Sequence, residues 1–291
     1  MCGIAGFVST RESAKSRTEA VRRMCAAMIH RGPDDEGHAT IHEATLGMRR
    51  LAIFDPAHGH QPMQTADGRY TLVFNGAIYN HRELRAELEQ AGHAFKTHCD
   101  TEVLLQAYAH WQENCLPRLR GMFAFAVWDD RERRLFVARD AFGIKPLYYA
   151  RLASGGLLFG SELNALLAAD RLPREIDPAS AGEYLAWFSV PAPRTIYRGM
   201  FNLPPGQCMT LDRGGRLNIR PWWHFPAARS MLPYPTLRAW PNFTPTAIWT
   251  APPPTCPTKT RRPVRTPSPS GSPFFVSMIS SRPDPCACLT F

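Results

Sequence analysis

Long apolar stretches are missing from this sequence. Gly121–Trp128 is about as long as any, far below the roughly 18 residues a membrane helix needs, so no membrane partner is expected. A basic leader is missing too. Residues 2–8 (Cys-Gly-Ile-Ala-Gly-Phe-Val) are apolar and charge first appears at Arg11-Glu12, which argues against a signal peptide. The eight cysteines, at 2, 25, 99, 115, 208, 256, 286 and 288, form no C-x-x-C and keep no regular spacing. Neither a disulfide framework nor a zinc module is indicated, and Cys286 and Cys288 lack partner ligands. A reduced, cytoplasmic setting and no metal are the expectation. No internal repeat is visible.

Charge and proline divide the chain at one point. Residues 1–225 hold 12 of the 27 prolines, and the last 66 of 291 residues hold the other 15. The tail has seven basic residues and one acid, against 27 basic and 24 acidic before it. Most of the net +9 therefore belongs to the tail. The near-balanced body does not read as a nucleic-acid binder. Pro252-Pro253-Pro254 and Ser268–Pro273 exclude regular helix or sheet, so residues 226–291 are expected to be disordered. Residues 2–225 are long enough to bury a sizeable core.

Within the body, Cys2–Val8, Leu46–Phe54 and Tyr70–Phe74 read as strands, the last running into an Asn75-Gly76 turn signal. Ser16-Arg-Thr-Glu19 reads as a capping box before Val21, Met24 and Met28 at helical spacing. Asn80 and Glu83 are placed to cap a helix with Leu84 and Leu88 that stops at Gly92. A further helix follows Asp100. Met122–Trp128, Leu135–Ala138, Pro146–Ala150 and Leu157–Phe159 are closely spaced strand-like runs, suggesting antiparallel pairing. Ser154-Gly155-Gly156 suits a hairpin turn. Ser161–Ala169 and Ala179–Phe188 return to helix. The mixture implies a layered α+β domain.

Cys2 follows the initiator Met, whose removal before a small residue would leave Cys2 as the mature N-terminus. Its α-amine, with an ordinary pKa of about 7.7–8.0, can take the proton of a thiol near 8.5. One residue then supplies nucleophile and base. On Cys2 alone, a small buried cysteine opening a strand is the simpler reading. The motifs around it change that: Met1-Cys-Gly-Ile-Ala-Gly6, His30-Arg-Gly-Pro-Asp34, Arg50-Leu-Ala-Ile-Phe-Asp55, Phe74-Asn-Gly-Ala-Ile-Tyr-Asn80, Cys99-Asp-Thr-Glu-Val103, Gly121–Asp129, and Arg139-Asp140 with Gly143-Ile-Lys-Pro-Leu-Tyr148. In order and spacing these resemble the N-terminal-nucleophile glutaminase domain of class II glutamine amidotransferases, and most closely the glutamine-hydrolysing asparagine synthetase family. The likeness runs over about residues 2–223.

The resemblance implies a four-layer αββα sandwich of the N-terminal-nucleophile hydrolase type, and hydrolysis of glutamine to glutamate and ammonia. It assigns Cys2 as nucleophile, with the Asn75 side-chain amide and the Gly76 N–H as oxyanion donors. Arg50 matches the cation for glutamine's α-carboxylate, Leu51 and Ile53 its backbone contacts, and Asp100 the anion for its α-ammonium. Arg49 is the competitor for Arg50, but strand alternation sends the two to opposite faces. For Asp100 the competing role is N-cap of its helix. Where the family commonly has Asn-Gly-Glu, position 77 is Ala, removing a carboxylate near the substrate's amino group. Family members continue into a synthetase domain with an ATP-binding Ser-Gly-Gly-x-Asp-Ser loop. No such loop occurs here, and likeness ends near His224–Phe225, which suggests a truncated or frame-shifted reading frame. The glutaminase body then needs no cofactor. ATP and Mg²⁺ belong to the absent synthetase domain, which as a separate domain or subunit is a candidate partner. The alternatives are an amidotransferase with another ammonia acceptor, or an inactive fragment.

Overall fold

Strand alternation builds this fold. In a computed structural model, which describes residues 1–52 and 58–225, β1 (Gly3–Val8) sends Ile4 and Val8 to one core and Ala5 and Phe7 to another. Strand β5 (Tyr70–Ile78) likewise sends Val73 to the first of these cores and Leu72 and Phe74 to a third. Each strand is thus buried on both faces, and three stacked cores separate four layers.

The remaining elements are α1 (Ala14–Ala26), β2 (Asp35–Ile41), β3 (Ala44–Arg50), β4 (Met63–Gln64), α2 (His81–Gln90), α3 (Asp100–Trp111), β6 (Gly121–Asp129), β7 (Arg134–Arg139), β8 (Tyr148–Arg151), β9 (Leu157–Gly160), α4 (Leu163–Ala168), α5 (Pro178–Trp187), β10 (Met200–Asn202), β11 (Gln207–Leu211) and β12 (Leu217–Pro221). A short 3-10 segment, Gln112–Arg118, follows α3. One six-stranded sheet runs β10-β8-β9-β1-β3-β2 and the other β12-β11-β7-β6-β5-β4. Every pairing between these strands is antiparallel. Helix α1, through Ala20, Val21 and Met24, and α4, through Ala165 and Leu166, cover the outer face of the first sheet. Helices α2 and α3 cover the second through Leu84, Leu88, Leu104 and Tyr108. The inter-sheet core holds Leu46, Met48, Ala126, Trp128, Val137 and Met209. This is the expected αββα sandwich. No helix among the described residues is long and apolar enough to cross a membrane.

Several local readings need correction. Helix α1 is capped by Ser13, whose Oγ accepts from the Ser16 N–H at 3.2 Å. Ser16 therefore sits inside the first turn rather than before it. Asn75-Gly76 is not a turn: β5 passes straight through it and pairs with β6, Asn75 opposite Ala124 and Gly76 opposite Phe123. Close approach explains the glycine, since a Cβ there would lie 2.3 Å from the Met122 carbonyl oxygen. Asn80 holds the N-cap position of α2, but its side chain makes no capping bond. Its side chain instead donates to the Arg118 carbonyl at 3.0 Å and accepts from the Arg120 N–H at 2.9 Å. Strand β3 ends at Arg50, so Leu51 and Ala52 lie beyond it. Strands β2, β4, β10, β11 and β12 went unread because they are short or mix polar residues with few apolar ones. The Ser154–Gly156 stretch does turn β8 into β9, with Gly155 at φ +91°. Ile53 and the 226–291 tail lie outside the described residues.

Candidate active site

The period of two also assembles the site. Cys2 precedes β1 in phase with Ile4 and Val8 and packs against the inter-sheet core. Arg50 ends β3 in phase with Leu46 and Met48. Asn75 and Ala77 are in phase with Val73 on β5. All four meet at one end of the inter-sheet layer, in a pocket of about 190 Å³ that Leu51, Gly76, Asp100 and Lys145 also line. Arg49, out of phase, leaves for the other face. Its Nε donates to the Gly32 carbonyl at 2.9 Å and its guanidinium pairs with Glu36.

The nucleophile candidate is held from several sides. The Leu51 N–H approaches Cys2 Sγ at 3.4 Å, and Sγ lies 3.7 Å from the Leu51 carbonyl oxygen. Arg31 donates from Nε to the Cys2 carbonyl at 2.9 Å and is itself gripped by Glu162 at 2.9 Å. This gives the His30-Arg-Gly-Pro motif a physical task, fixing the backbone at Cys2. Met1 precedes Cys2, and its Sδ lies 3.4 Å from Lys145 Nζ.

Opposite Cys2, the Asn75 side chain is buried, yet its Nδ2 finds no hydrogen-bond partner among the described residues. A buried donor left unmade costs about 1–3 kcal/mol. A fold retains one where a ligand supplies the acceptor. The pocket facing this donor also contains the Cys2 side chain, so an oxygen bonded to a carbon under attack by sulfur would satisfy it.

Asp100 opens α3 but is not its cap, since Cys99 holds that position. Its Oδ2 instead accepts from the Ile78 N–H at 3.0 Å. Burial pushes the Asp100 carboxyl above its ordinary range, opposed by the Ile78 hydrogen bond and the charge of His81. A desolvated carboxylate on a pocket wall favours an incoming cation.

Three polar pocket residues were not singled out from sequence: Gln61, Thr101 and Lys145. For Lys145 the Arg139-Asp140 and Gly143-Ile-Lys motif was the available signal. Asp140 Oδ2 accepts from the Lys145 N–H at 3.0 Å, and Arg139 Nε donates to the Lys145 carbonyl at 2.7 Å. Buried charges thus build the loop that delivers this lysine. Burial holds its ammonium below the ordinary lysine range, and the like charge of Arg31 acts in the same direction.

The layered fold with an N-terminal nucleophile candidate at one end of its inter-sheet core defines an N-terminal-nucleophile hydrolase architecture. Residues 1–223 match the glutamine amidotransferase domain family, and the chain belongs to that family. It is 39% identical over 227 residues to asparagine synthetase [glutamine-hydrolyzing] 3 of Bacillus subtilis, covering 77% of this chain and 37% of that protein. It is 43% identical over 235 residues to a putative asparagine synthetase [glutamine-hydrolyzing] of Mycobacterium tuberculosis, covering 75% of this chain and 36% of that protein. The chain thus spans about a third of the length of these curated relatives. Among solved structures, glutamine phosphoribosylpyrophosphate amidotransferase from B. subtilis superposes with a TM-score of 0.57 at 19% identity, covering 77% of this chain and 50% of that one. That likeness establishes the fold.

Proposed function

We propose that this chain hydrolyses the side-chain amide of glutamine to glutamate and ammonia, with Cys2 as nucleophile. The observation that carries the reading is the partnerless, buried Asn75 Nδ2 on the same small pocket as Cys2 Sγ. Removal of Met1 frees the Cys2 α-amine, which takes the thiol proton. Sulfur bonds to the amide carbon, and the carbonyl electron pair moves to oxygen. Asn75 Nδ2 and the Gly76 N–H receive that oxyanion. As it collapses, the carbon–nitrogen bond breaks, the amine's proton goes to the leaving nitrogen, and ammonia departs from a thioester. Water then attacks the thioester, releasing glutamate and restoring the thiol.

Arg50 is assigned to the substrate α-carboxylate, which a guanidinium can grip through two parallel bonds. Asp100 is assigned to the α-ammonium, and the desolvation of its carboxylate supports that pairing. Leu51 is assigned a backbone contact. Ala77 offers only a methyl group on the same wall, leaving Asp100 as the carboxylate on this pocket among the described residues. Nucleophile, base and oxyanion donors all come from residues 2–225, so the hydrolysis is assigned no cofactor. The ammonia is assigned to asparagine formation on a synthetase domain or subunit, where ATP and Mg²⁺ would act.

The test is glutamate release from glutamine by the purified chain, alongside intact-mass analysis. Turnover by protein starting at Cys2, and none from Cys2→Ala, is expected. Turnover by protein that retains Met1 would overturn the assignment of the α-amine.

A further inference from the structure

The β4 edge of β5 supplies the observation. In an antiparallel strand, alternate residues present their backbone groups to the same side. On β5 the even-numbered residues face β4: the Tyr70 carbonyl oxygen accepts from the Thr65 N–H at 3.0 Å, and the Tyr70 N–H donates to Thr65 Oγ1 at 3.0 Å. Leu72 is paired with Met63. Continuing that register sets Gln61 opposite Phe74, but β4 has already ended. The main-chain carbonyl of Gln61 lies against Gly37 of the other sheet, so closely that a Cβ on Gly37 would sit 1.9 Å from it. The side chain fills the vacated ladder position. Gln61 Oε1 accepts from the Phe74 N–H at 2.6 Å. At the far end of the same edge, Asp100 Oδ2 accepts from the Ile78 N–H at 3.0 Å. Between them lies the N–H of Gly76, for which no side chain or loop among the described residues provides an acceptor.

We infer that Gln61 is a positioning residue for the oxyanion site: its buried amide closes the β5 edge at Phe74 and ties it to α3, leaving the Gly76 N–H as the open donor beside Asn75. The tie runs through Gln61 Nε2, which donates to Thr101 Oγ1 at 3.4 Å. Thr101 is adjacent to Asp100. One side chain therefore sets the spacing between the strand that carries the oxyanion donors and the helix that carries the anion for the α-ammonium. Gln61 is 4% exposed, so losing its acceptor leaves the Phe74 N–H buried and unmet. The strand then gains by drifting or by drawing in a water at the position where the oxyanion donors must stay fixed.

This inference rests on the glutaminase reading, and the experiment separates the two. Gln61→Met keeps the volume and removes both bonds. Its kcat for glutamine should fall at least tenfold and its KM rise severalfold. Gln61→Glu, which keeps an acceptor for Phe74, should recover part of kcat. Thr101→Val, which removes only the tie to α3, should raise KM with kcat within about twofold. Hydrogen exchange read by NMR adds a signal independent of turnover: in Gln61→Met the Phe74 amide should lose protection while those of Val73 and Asn75, which face β6, keep theirs. Unchanged Phe74 exchange, or wild-type kcat and KM in Gln61→Met, would overturn the inference. Absence of turnover in the wild-type chain with normal Phe74 protection would instead overturn the glutaminase reading.

Discussion

The inter-sheet layer opens at both ends, and its two pockets are nearly the same size. The Cys2 end encloses about 190 Å³ and the opposite end, beyond Val8, Trp128 and Leu211, about 210 Å³. Both carry arginines and carboxylates. At the far end the arginines are engaged within the fold: Arg133 pairs with Glu43 at 2.7 Å, leaving Glu43 Oε2 as the buried atom without a hydrogen-bond partner there among the described residues, and Arg151 donates to the Gly215 carbonyl at 2.8 Å. At the near end the unmet group is a donor, the buried Asn75 Nδ2, and burial pushes the Asp100 carboxyl beside it up. Volume does not separate the two pockets. The distinction is in the kind of group left unmet: an amide donor on the same pocket as a thiol at one end, the second oxygen of an ion-paired carboxylate at the other.

If that distinction is correct, substitutions of equal size at the two ends must have unequal effects. The largest expected effect is at Cys2. Cys2→Ala removes the proposed nucleophile, and glutamate release should fall to background in a coupled glutamate assay. Next comes Asn75→Ala. Losing one oxyanion donor costs on the order of 10²–10³ in kcat, and KM should change much less. Removing an unsatisfied buried donor should leave the melting temperature unchanged or raise it. A melting temperature that falls steeply with activity would mean that Asn75 serves the fold, and the contrast between the two ends would fail.

Asp100→Asn sharpens the contrast through pH. Its folded-state pKa is raised by burial, so the native state favours the protonated form, and ionisation at neutral pH works against stability. The neutral amide relieves that cost and can still accept from the Ile78 N–H, so thermal stability should hold or improve. Glutamine's ammonium, in contrast, loses its anion. A lost buried charge partner costs at least about 2 kcal/mol, which is roughly a thirtyfold rise in KM. In the unaltered chain, KM should climb as pH falls through the raised Asp100 value, beginning above the range where a free aspartate titrates. A KM flat across that range, from steady-state kinetics at graded pH, would remove Asp100 from substrate binding.

How much of this was legible in the sequence follows the same physics. The position of Cys2 after Met1 raised it as a candidate, and the ordered motifs around it, not the position alone, carried the assignment. A strand's period of two is local and requires Arg49 and Arg50 to face opposite ways, while the choice between them came from the resemblance. The αββα architecture could not be read from periodicity, since strands buried on both faces lose their alternation. It came from the ordered motifs. Asn75-Gly76 misled because its local turn preference was overridden by pairing with β6, where Met122 leaves no room for a side chain. Gln61 was invisible for a different reason. Its role depends on where β4 stops and on Phe74, thirteen residues away, and no local pattern encodes either.

The smallest expected effect is at the far end, and it tests the contrast from the other side. Arg133→Ala deletes a cation of the larger pocket. If cationic pockets as such mattered, glutamine hydrolysis should suffer. Arg133 instead faces Glu43 and Asp130, with the guanidinium 24% exposed and the Glu43 carboxyl 27%. Burial raises the Glu43 pKa, but the Arg133 hydrogen bond, the Glu43 backbone N–H and the charges of Arg133 and His42 together outweigh it, and the carboxyl ends below its ordinary range. That lowering stabilises the fold above the ordinary glutamate pKa and is lost as pH falls through the lowered value. Solvent screens a pair this accessible, so its contribution is about 1 kcal/mol or less. Arg133→Ala should therefore lower the melting temperature by a few degrees at neutral pH, with the difference from the unaltered chain shrinking under acid conditions. Its kcat and KM for glutamine should stay within about twofold of the unaltered values, since the groups it disturbs spend their interactions on each other. A large kinetic effect from this position would show that the two ends of the layer communicate, and that the far pocket holds something the catalytic end depends on.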